Sequence, residues 1–237
     1  MISWRLEQFE QLGSTSDHCI QAARNGEAEG LAVLALAQTS GRGSRGRAWE
    51  APSGNLNLSV LLRPARPLAE AGMFPLLAGL AVHETLTGFG LETATLKWPN
   101  DVLVGGAKLA GILIDAQPGP ERFDWLVIGI GVNLLTAPEI PGRLTTSLAR
   151  YGIAVTPAAF TARLLPALSR WLAQPAEAIT QAWSARAHAP GTALSVHTSL
   201  HNLTGRFAGL SRTGELLLAI DHRIETISTG EIFLAAS

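Results

Sequence analysis

The stretch LKWPNDVLVGGAKLAGILID (96–115) holds both lysines of the 237-residue chain, Lys97 and Lys108; the other sixteen of its 18 basic residues are arginines. Gly105-Gly106 between two apolar runs predicts an antiparallel hairpin closed by a primed turn, whose positive φ angles glycine adopts without strain. In a two-residue hairpin Lys108 stands near Leu103. Pro99 fixes the exit from the preceding strand and sets an amide and a carboxylate, Asn100 and Asp101, where that strand stops. A lysine offers a compact ammonium with three rotatable donors, a role that a planar guanidinium does not fill. The flanking Val102, Leu103, Leu109, Ile112, Leu113 and Ile114 predict burial, and a buried unpaired ammonium is expensive. Lys108 therefore needs an anionic partner, for which a ligand is one candidate.

Outward from the hairpin, helices and strands alternate. Ser14 followed by Asp17 marks a helix start and Gly26 its stop. Strands are predicted over 31–37 and 56–63, with a Gly-, Arg- and Ser-rich loop over 38–54 between them. A helix is predicted over 69–89, where Pro75 near the first turn is tolerated. A strand ends near Trp98, another runs over 123–135, a loop covers 137–142, and helices cover 157–173 and 176–187. After Ala189-Pro190-Gly191 the character changes to short β-like runs at 192–198, 203–210, 215–220, 223–227 and 231–235, the pattern of a small β-barrel. The expected division is 1–188 and 189–237.

Hydrophobic residues make up 47% of the chain and charged residues 16%, ample apolar material for a packed core. A formal net charge of -1 argues against nucleic acid as the main partner, because binding a phosphate backbone draws on a basic surplus. The single Cys19 excludes an internal disulfide and fits a reducing cytoplasm. Residues 1–17 show no basic head followed by an apolar run, so no signal peptide is expected, and LAVLALA (31–37) is too short to cross a bilayer. A soluble cytoplasmic protein is expected.

Two further segments carry chemistry. In Gln38-Thr39-Ser40-Gly41-Arg42-Gly43-Ser44-Arg45-Gly46-Arg47-Ala48-Trp49, three glycines and three arginines fall within seven residues. Such a loop can turn N–H groups and guanidinium forks toward phosphate or carboxylate. It is not a P-loop: Arg47 replaces the lysine, Ala48 the hydroxyl, and Glu-Ala-Pro-Ser follows instead of a helix. In Val127–Asn133, Gly129 and Gly131 alternate and permit close approach of a backbone or a flat ligand, and Asn133 ends the run with an amide. His197 and His201 have i,i+4 spacing but fall in the β-like tail, where it does not put them on one metal-binding face, and His18, His83, His188 and His222 form no ligand-like grouping, so no metal site is expected. No convincing Ser/His or Cys/His nucleophile pair is present.

In order and spacing these elements resemble those of the biotin–protein ligases. The family's early Ser-Thr-Asn appears as Ser14-Thr15-Ser16, and its Gly-Arg-Gly-Arg-Arg-Gly-Arg-x-Trp loop as residues 41–49. Its Lys-Trp-Pro-Asn-Asp stands at 97–101, its Lys-x-x-Gly-Ile-Leu at 108–113 and its Gly-x-Gly-x-Asn at 129–133. The likeness is close over residues 8–135, and the small C-terminal β unit also fits. The chain departs at Ser16, where the family has Asn, and at Ser44, where it has Arg.

The resemblance implies an α+β fold of the class II synthetase and biotin-ligase type: a mixed sheet with flanking helices, largely on one side, followed by an SH3-like β-barrel. It implies an ATP-dependent ligase that forms biotinyl-AMP and passes biotin to a lysine of a biotin carboxyl carrier protein domain. By the resemblance, Ser14, Thr15, Ser16, Gln38, Gly41, Arg42, Gly43, Ser44, Lys108 and Gly111 surround biotin, with Lys108 and Arg42 catalytic. Arg45, Arg47, Trp49, Lys97, Asn100, Asp101 and Asn133 would face ATP, and Mg²⁺ would enter with the ATP phosphates. The chain begins directly at the catalytic part, so a DNA-binding repressor role is not expected; neither nucleic acid nor membrane is expected as a partner, and a homodimer is left open. Serine at 44 loses the charge of an arginine that helps close the loop, so looser retention of biotinyl-AMP is expected. The alternatives are a lipoate-type acyl ligase and a catalytically weak biotin or biotinyl-AMP binder. The full Lys-Trp-Pro-Asn-Asp and Gly-Arg-Gly runs favour biotin, and intact Lys108, Asn100 and Asp101 favour activity.

Overall fold

The computed structural model describes residues 2–50, 52–198 and 201–234. Residue 51 of the predicted loop and residue 235 of the last predicted strand lie outside the described residues, as do 199–200 and 236–237 of the tail.

A seven-stranded sheet is built from β1 (Arg5–Leu12), β2 (Leu31–Gln38), β3 (Leu56–Leu62), β4 (Ala94–Lys97), β5 (Asp101–Val104), β6 (Ala107–Pro118) and β7 (Phe123–Val132), in the order β1-β2-β3-β7-β6-β5-β4. β1 and β2 are parallel, because α1 (Thr15–Arg24) crosses between them, and the other neighbours are antiparallel. The sheet is therefore mixed, as expected. β1 was not expected from the sequence: RLEQFEQL is an exposed edge strand without an apolar face, and its charges are what such an edge needs. The β5–β6 hairpin turns at Gly105 (φ 57°) and Gly106 (φ 79°) and pairs Leu103 with Lys108, as the sequence predicts.

Both faces of the central strands are covered, which is why β3 is buried along its whole length. Ala32, Leu34, Leu58, Val60, Ile128 and Ile130 pack with α2 (Met73–Gly88), α3 (Pro157–Leu172) and α4 (Ala176–Ser184). The alternate residues Val33, Leu61, Trp125 and Val127 pack with Cys19 and Ala23 of α1. Three helices thus lie on one face and α1 on the other. Ser14 caps α1 by accepting from the Asp17 N–H at 3.3 Å, and Thr156 caps α3 through the Ala159 N–H at 3.2 Å.

The tail forms a five-stranded antiparallel sheet from β8 (Ala193–His197), β9 (Asn202–Leu210), β10 (Leu216–Ile220), β11 (Arg223–Ile227) and β12 (Glu231–Leu234), ordered β11-β10-β9-β8-β12. Its buried Leu194, Val196, Phe207, Leu216, Leu218 and Ile232 join the main core. The joint is Trp98, 2% exposed, whose indole N–H donates to the Gly214 carbonyl at 3.0 Å. Among the described residues no helix is long and apolar enough to cross a membrane.

Cys19 reports whether α1 is seated. Burial, with the Glu7 carboxylate adding to it, pushes its thiol up to about 12. Because the thiolate is the nucleophile, iodoacetamide at pH 8 should modify the native protein about a thousandfold more slowly than the unfolded chain, as read by mass. Comparable rates in the two states would contradict the packing of α1 on the sheet.

Candidate active site

One cross-strand row organises the site. Asn57 of β3 pairs with Gly131 of β7, Gly131 with Gly111 of β6, Gly111 with Asp101 of β5, and Asp101 with Lys97 of β4. The adjacent row on the same face is Ser59, Gly129 and Leu113. This is the face covered by α1, and α1 begins just above it. A Cβ on Gly129 would sit 2.7 Å from the Ser16 hydroxyl, and one on Gly131 would collide with the Trp49 indole. Gly111 and Gly131 leave a bare floor beneath Trp49.

At the α1 end the polar groups are uncharged. The Thr15 N–H and hydroxyl both donate to Gln38 Oε1, at 2.7 and 3.0 Å. The Ser59 hydroxyl, fully buried, lies 2.8 Å from that of Thr15 and 3.0 Å from that of Ser16. Gln38 Nε2 reaches Asn57 Oδ1 at 3.5 Å. Asn57 and Ser59 were missed in the sequence. Their signal is two polar side chains at i and i+2 in an otherwise apolar strand, which puts both on one face.

The Gly/Arg loop folds as a small hairpin: the Gly43 N–H donates to the Arg47 carbonyl at 2.8 Å and the Trp49 N–H to the Gly41 carbonyl at 2.9 Å. A single turn at Ser44–Gly46 contains Arg45 in the left-handed region, φ 58°. Each arginine already has a protein carboxylate. Arg42 holds Asp115 through two bonds, at 2.8 and 3.2 Å, and Asp17 at 2.9 Å. The bond to Asp115 raises its pKa further, against the effect of burial. Arg45 and Arg47 reach Glu231 of β12 at 3.3 and 3.0 Å, and the Ser44 hydroxyl accepts from Arg47 at 3.1 Å. Glu231 was not among the expected site residues; its carboxylate arrives from the second sheet.

Lys108 finds its anionic partner on the neighbouring strand: Nζ lies 2.5 Å from Asp101 Oδ1, with Lys97 Nζ 3.5 Å from Asp101 Oδ2. Lys108 also stands 5.7 Å over the Trp49 ring. Asn100 donates to the Ile112 carbonyl at 2.7 Å and accepts the Ile112 N–H on its own carbonyl at 2.9 Å, tying the strand exit to β6.

Ser14, Thr15, Ser16, Gln38, Arg42, Gly43, Ser44, Trp49, Asn100, Lys108 and Gly111 line one cavity. Its free space is about 40 Å³, room for a few waters, and Trp49 and its loop form part of the wall. Arg45, Arg47, Lys97 and Asp101 line an adjoining cavity of about 200 Å³, which Ser44 and Asn100 also border. Gly41 lines neither; it is the foot of the loop, against Trp49 and Gln38. Asn133 stands at the root of the segment 134–147, which borders a third cavity of about 740 Å³. Among the described residues Asn133 Oδ1 and Trp49 Nε1 are buried without a hydrogen-bond partner, and such orphaned groups are costly unless something fills them.

Residues 13–133 match the model of the biotin/lipoate A/B protein ligase family. The biotin–[acetyl-CoA-carboxylase] ligase of Paracoccus denitrificans is 36% identical over 85% of this chain and 89% of its own length. The enzyme of the same name from Mycobacterium tuberculosis is 34% identical over 97% of this chain and 89% of its own. The structure of the biotin protein ligase of Aquifex aeolicus in complex with biotin and ATP superposes with a TM-score of 0.82, at 28% identity, covering 98% of this chain and 99% of that one. The chain belongs to the biotin/lipoate A/B protein ligase family and, within it, to the biotin protein ligases.

Proposed function

We propose that this site biotinylates a lysine in two steps of acyl transfer. An oxygen of biotin's carboxylate bonds to the α-phosphorus of ATP, the bond from that phosphorus to the bridging oxygen breaks, and pyrophosphate leaves with the electron pair. The amine of an acceptor lysine then bonds to the carbonyl carbon of biotinyl-AMP, loses a proton, and AMP departs with the pair. The observation that carries this reading is the junction at Lys108. Lys108 lines the cavity whose inner end holds hydroxyls and amides, and its partner Asp101 lines the neighbouring cavity with Arg45, Arg47 and Lys97, so this ion pair stands between the two.

In this reading Ser14, Thr15, Ser16, Gln38 and Gly111 receive the biotin ring system, with Ser59 holding the two hydroxyls of Thr15 and Ser16 in place. Gly41, Arg42, Gly43 and Ser44 close over it, and Arg42 acts by pinning the loop between Asp17 and Asp115. Lys108 meets the negative charge that builds on carboxylate and α-phosphate, and positioning does the rest of the work. Trp49 and the cations Arg45, Arg47 and Lys97 face the nucleotide, with Asn100 and Asp101 setting the lysines. The unpartnered Asn133 Oδ1 suits an amino donor such as that of adenine. Residues 1–188 act as the catalytic unit, and 189–237 complete its cationic side through Glu231.

A divalent ion held by the protein does not fit the donors present. Among the described residues no three His, Cys, Asp or Glu side chains converge, and Asp101 is engaged by two lysines. Magnesium belongs to the nucleotide in this reading. The acceptor is a carrier domain of a carboxylase, and the enzyme acts in the cytoplasm.

Biotin-dependent exchange of pyrophosphate into ATP tests the reading; exchange should require biotin, and lipoate should not replace it. Exchange with lipoate alone would favour the other branch of the family. Lys108→Ala should fold and lose about 10²–10³ in exchange rate, the usual effect of removing one charge-stabilising donor. Near-normal exchange would remove Lys108 from this role. Ser59→Ala should raise the KM for biotin about thirtyfold while leaving that for ATP unchanged, since roughly 1 kcal/mol goes with each of the two lost buried hydrogen bonds. Equal effects on both substrates would mean a general structural role. Finally, Ser44→Arg should label a lysine-rich bystander protein less than wild type does, on a streptavidin blot after incubation with biotin and ATP; equal labelling would mean that Arg45 and Arg47 already retain the intermediate.

A further inference from the structure

Where the arginine loop, β4, β5 and β12 converge, the described residues place five cations against two carboxylates. Arg45, Arg47 and Arg143 all donate to Glu231, at 3.3, 3.0 and 2.5 Å. Lys97 and Lys108 share Asp101. Five positive and two negative charges leave a surplus of three, in a chain whose formal net charge is -1. Three guanidinium groups on a single carboxylate repel one another and are under-neutralised. Space is left beside them. Cavities of about 200 and about 180 Å³ both border Glu231, Lys97 and Asp101, the first lined also by Arg45 and Arg47, the second by Arg143 and Lys108. Arg143 belongs to none of the sequence motifs; it reaches the cluster from the segment 134–147.

We propose that Glu231 is a built-in stand-in for the leaving pyrophosphate. The cradle of Arg45, Arg47 and Arg143 holds the two outer phosphates of the nucleotide, these displace the Glu231 carboxylate, and its return helps expel the product. The proposal rests on the adenylate-forming reading above and adds Arg143 and Glu231 to it. Three guanidinium forks around one carboxylate present many donors, more than a single carboxylate's two oxygens can accept in good geometry, whereas a diphosphate brings several oxygens and more charge. The three arginines come from two separate segments and the carboxylate from a different sheet, so exchanging one anion for another needs only side-chain movement. Burial opposes ionisation of Glu231, but the Arg47 hydrogen bond and the charges of Arg143, Arg47 and Lys97 outweigh it and hold the carboxyl below its usual range. The competitor is therefore charged at neutral pH, and no proton is needed for the exchange.

The test is direct binding of inorganic pyrophosphate, in magnesium-free buffer at low salt, followed by isothermal titration calorimetry. Wild type should bind pyrophosphate more tightly than orthophosphate. Glu231→Gln, nearly the same in shape, removes the competing charge and should bind pyrophosphate roughly ten- to a hundredfold more tightly, as expected for one charge-assisted interaction. Arg143→Gln should bind it at least several-fold more weakly. Unchanged or weaker binding by Glu231→Gln would overturn the proposal and make Glu231 an organiser of the arginines. Should Glu231→Gln fail to fold, the comparison of wild type with Arg143→Gln decides, and equal affinities there overturn it. Binding needs no turnover, so the two readings fail separately: a chain without biotin-dependent exchange can still show the Glu231 effect, and an active enzyme can lack it.

Discussion

Gly111 and Gly131 face each other across β6 and β7, and a Cβ on Gly131 would occupy the place of the Trp49 indole. That missing carbon is the constraint around which the site is arranged. The central strands are covered on both faces, so a pocket can form only where side chains vanish from one of them. α1 ends its cover above Gly129, the bare floor continues under Trp49, and the row then runs into Asp101 and Lys97. Hydroxyls and amides therefore collect at one end and cations at the other, with Lys108 between. A larger residue at either glycine would act on the shape of the pocket, since the core side of the same strands is filled independently by Ile128, Ile130 and Val132.

The cationic end depends on carboxylates from two sheets. Two half-buried lysines would be unfavourable without Asp101, and removing that one carboxylate would leave both uncompensated. Glu231 plays the matching part for the arginines, and it can do so because Trp98 fastens the second sheet to the first. The segment 97–101 thus combines two tasks. Its tryptophan joins the sheets, and its charged ends organise the chemistry. The packing that makes the fold and the electrostatics that make the site cannot be separated there.

Much of this was legible in the chain because its causes are local. A Gly-Gly pair between apolar runs sets a hairpin within four residues, and Ser14 and Thr156 cap helices by bonds to backbone three positions away. Alternating glycines and a dense Gly/Arg loop mark themselves by composition alone. β1 escaped notice because an exposed edge strand has no apolar face to reveal its period. Asn57 and Ser59 were readable in principle, as two polar side chains on one face of a strand whose other positions are apolar.

The sequence by itself determined the turns, the caps, most of the helices and strands, the family likeness and the candidate ligand residues. These follow from backbone preferences and side-chain periods that operate over a few positions. Only the tertiary structure decided which charge meets which. Arg45 and Glu231 are 186 positions apart and Arg42 and Asp115 are 73 apart. A carboxylate carries no local sign of its partner. Pairing depends on which strands the sheet sets side by side, and that is settled by burying apolar faces along the whole chain.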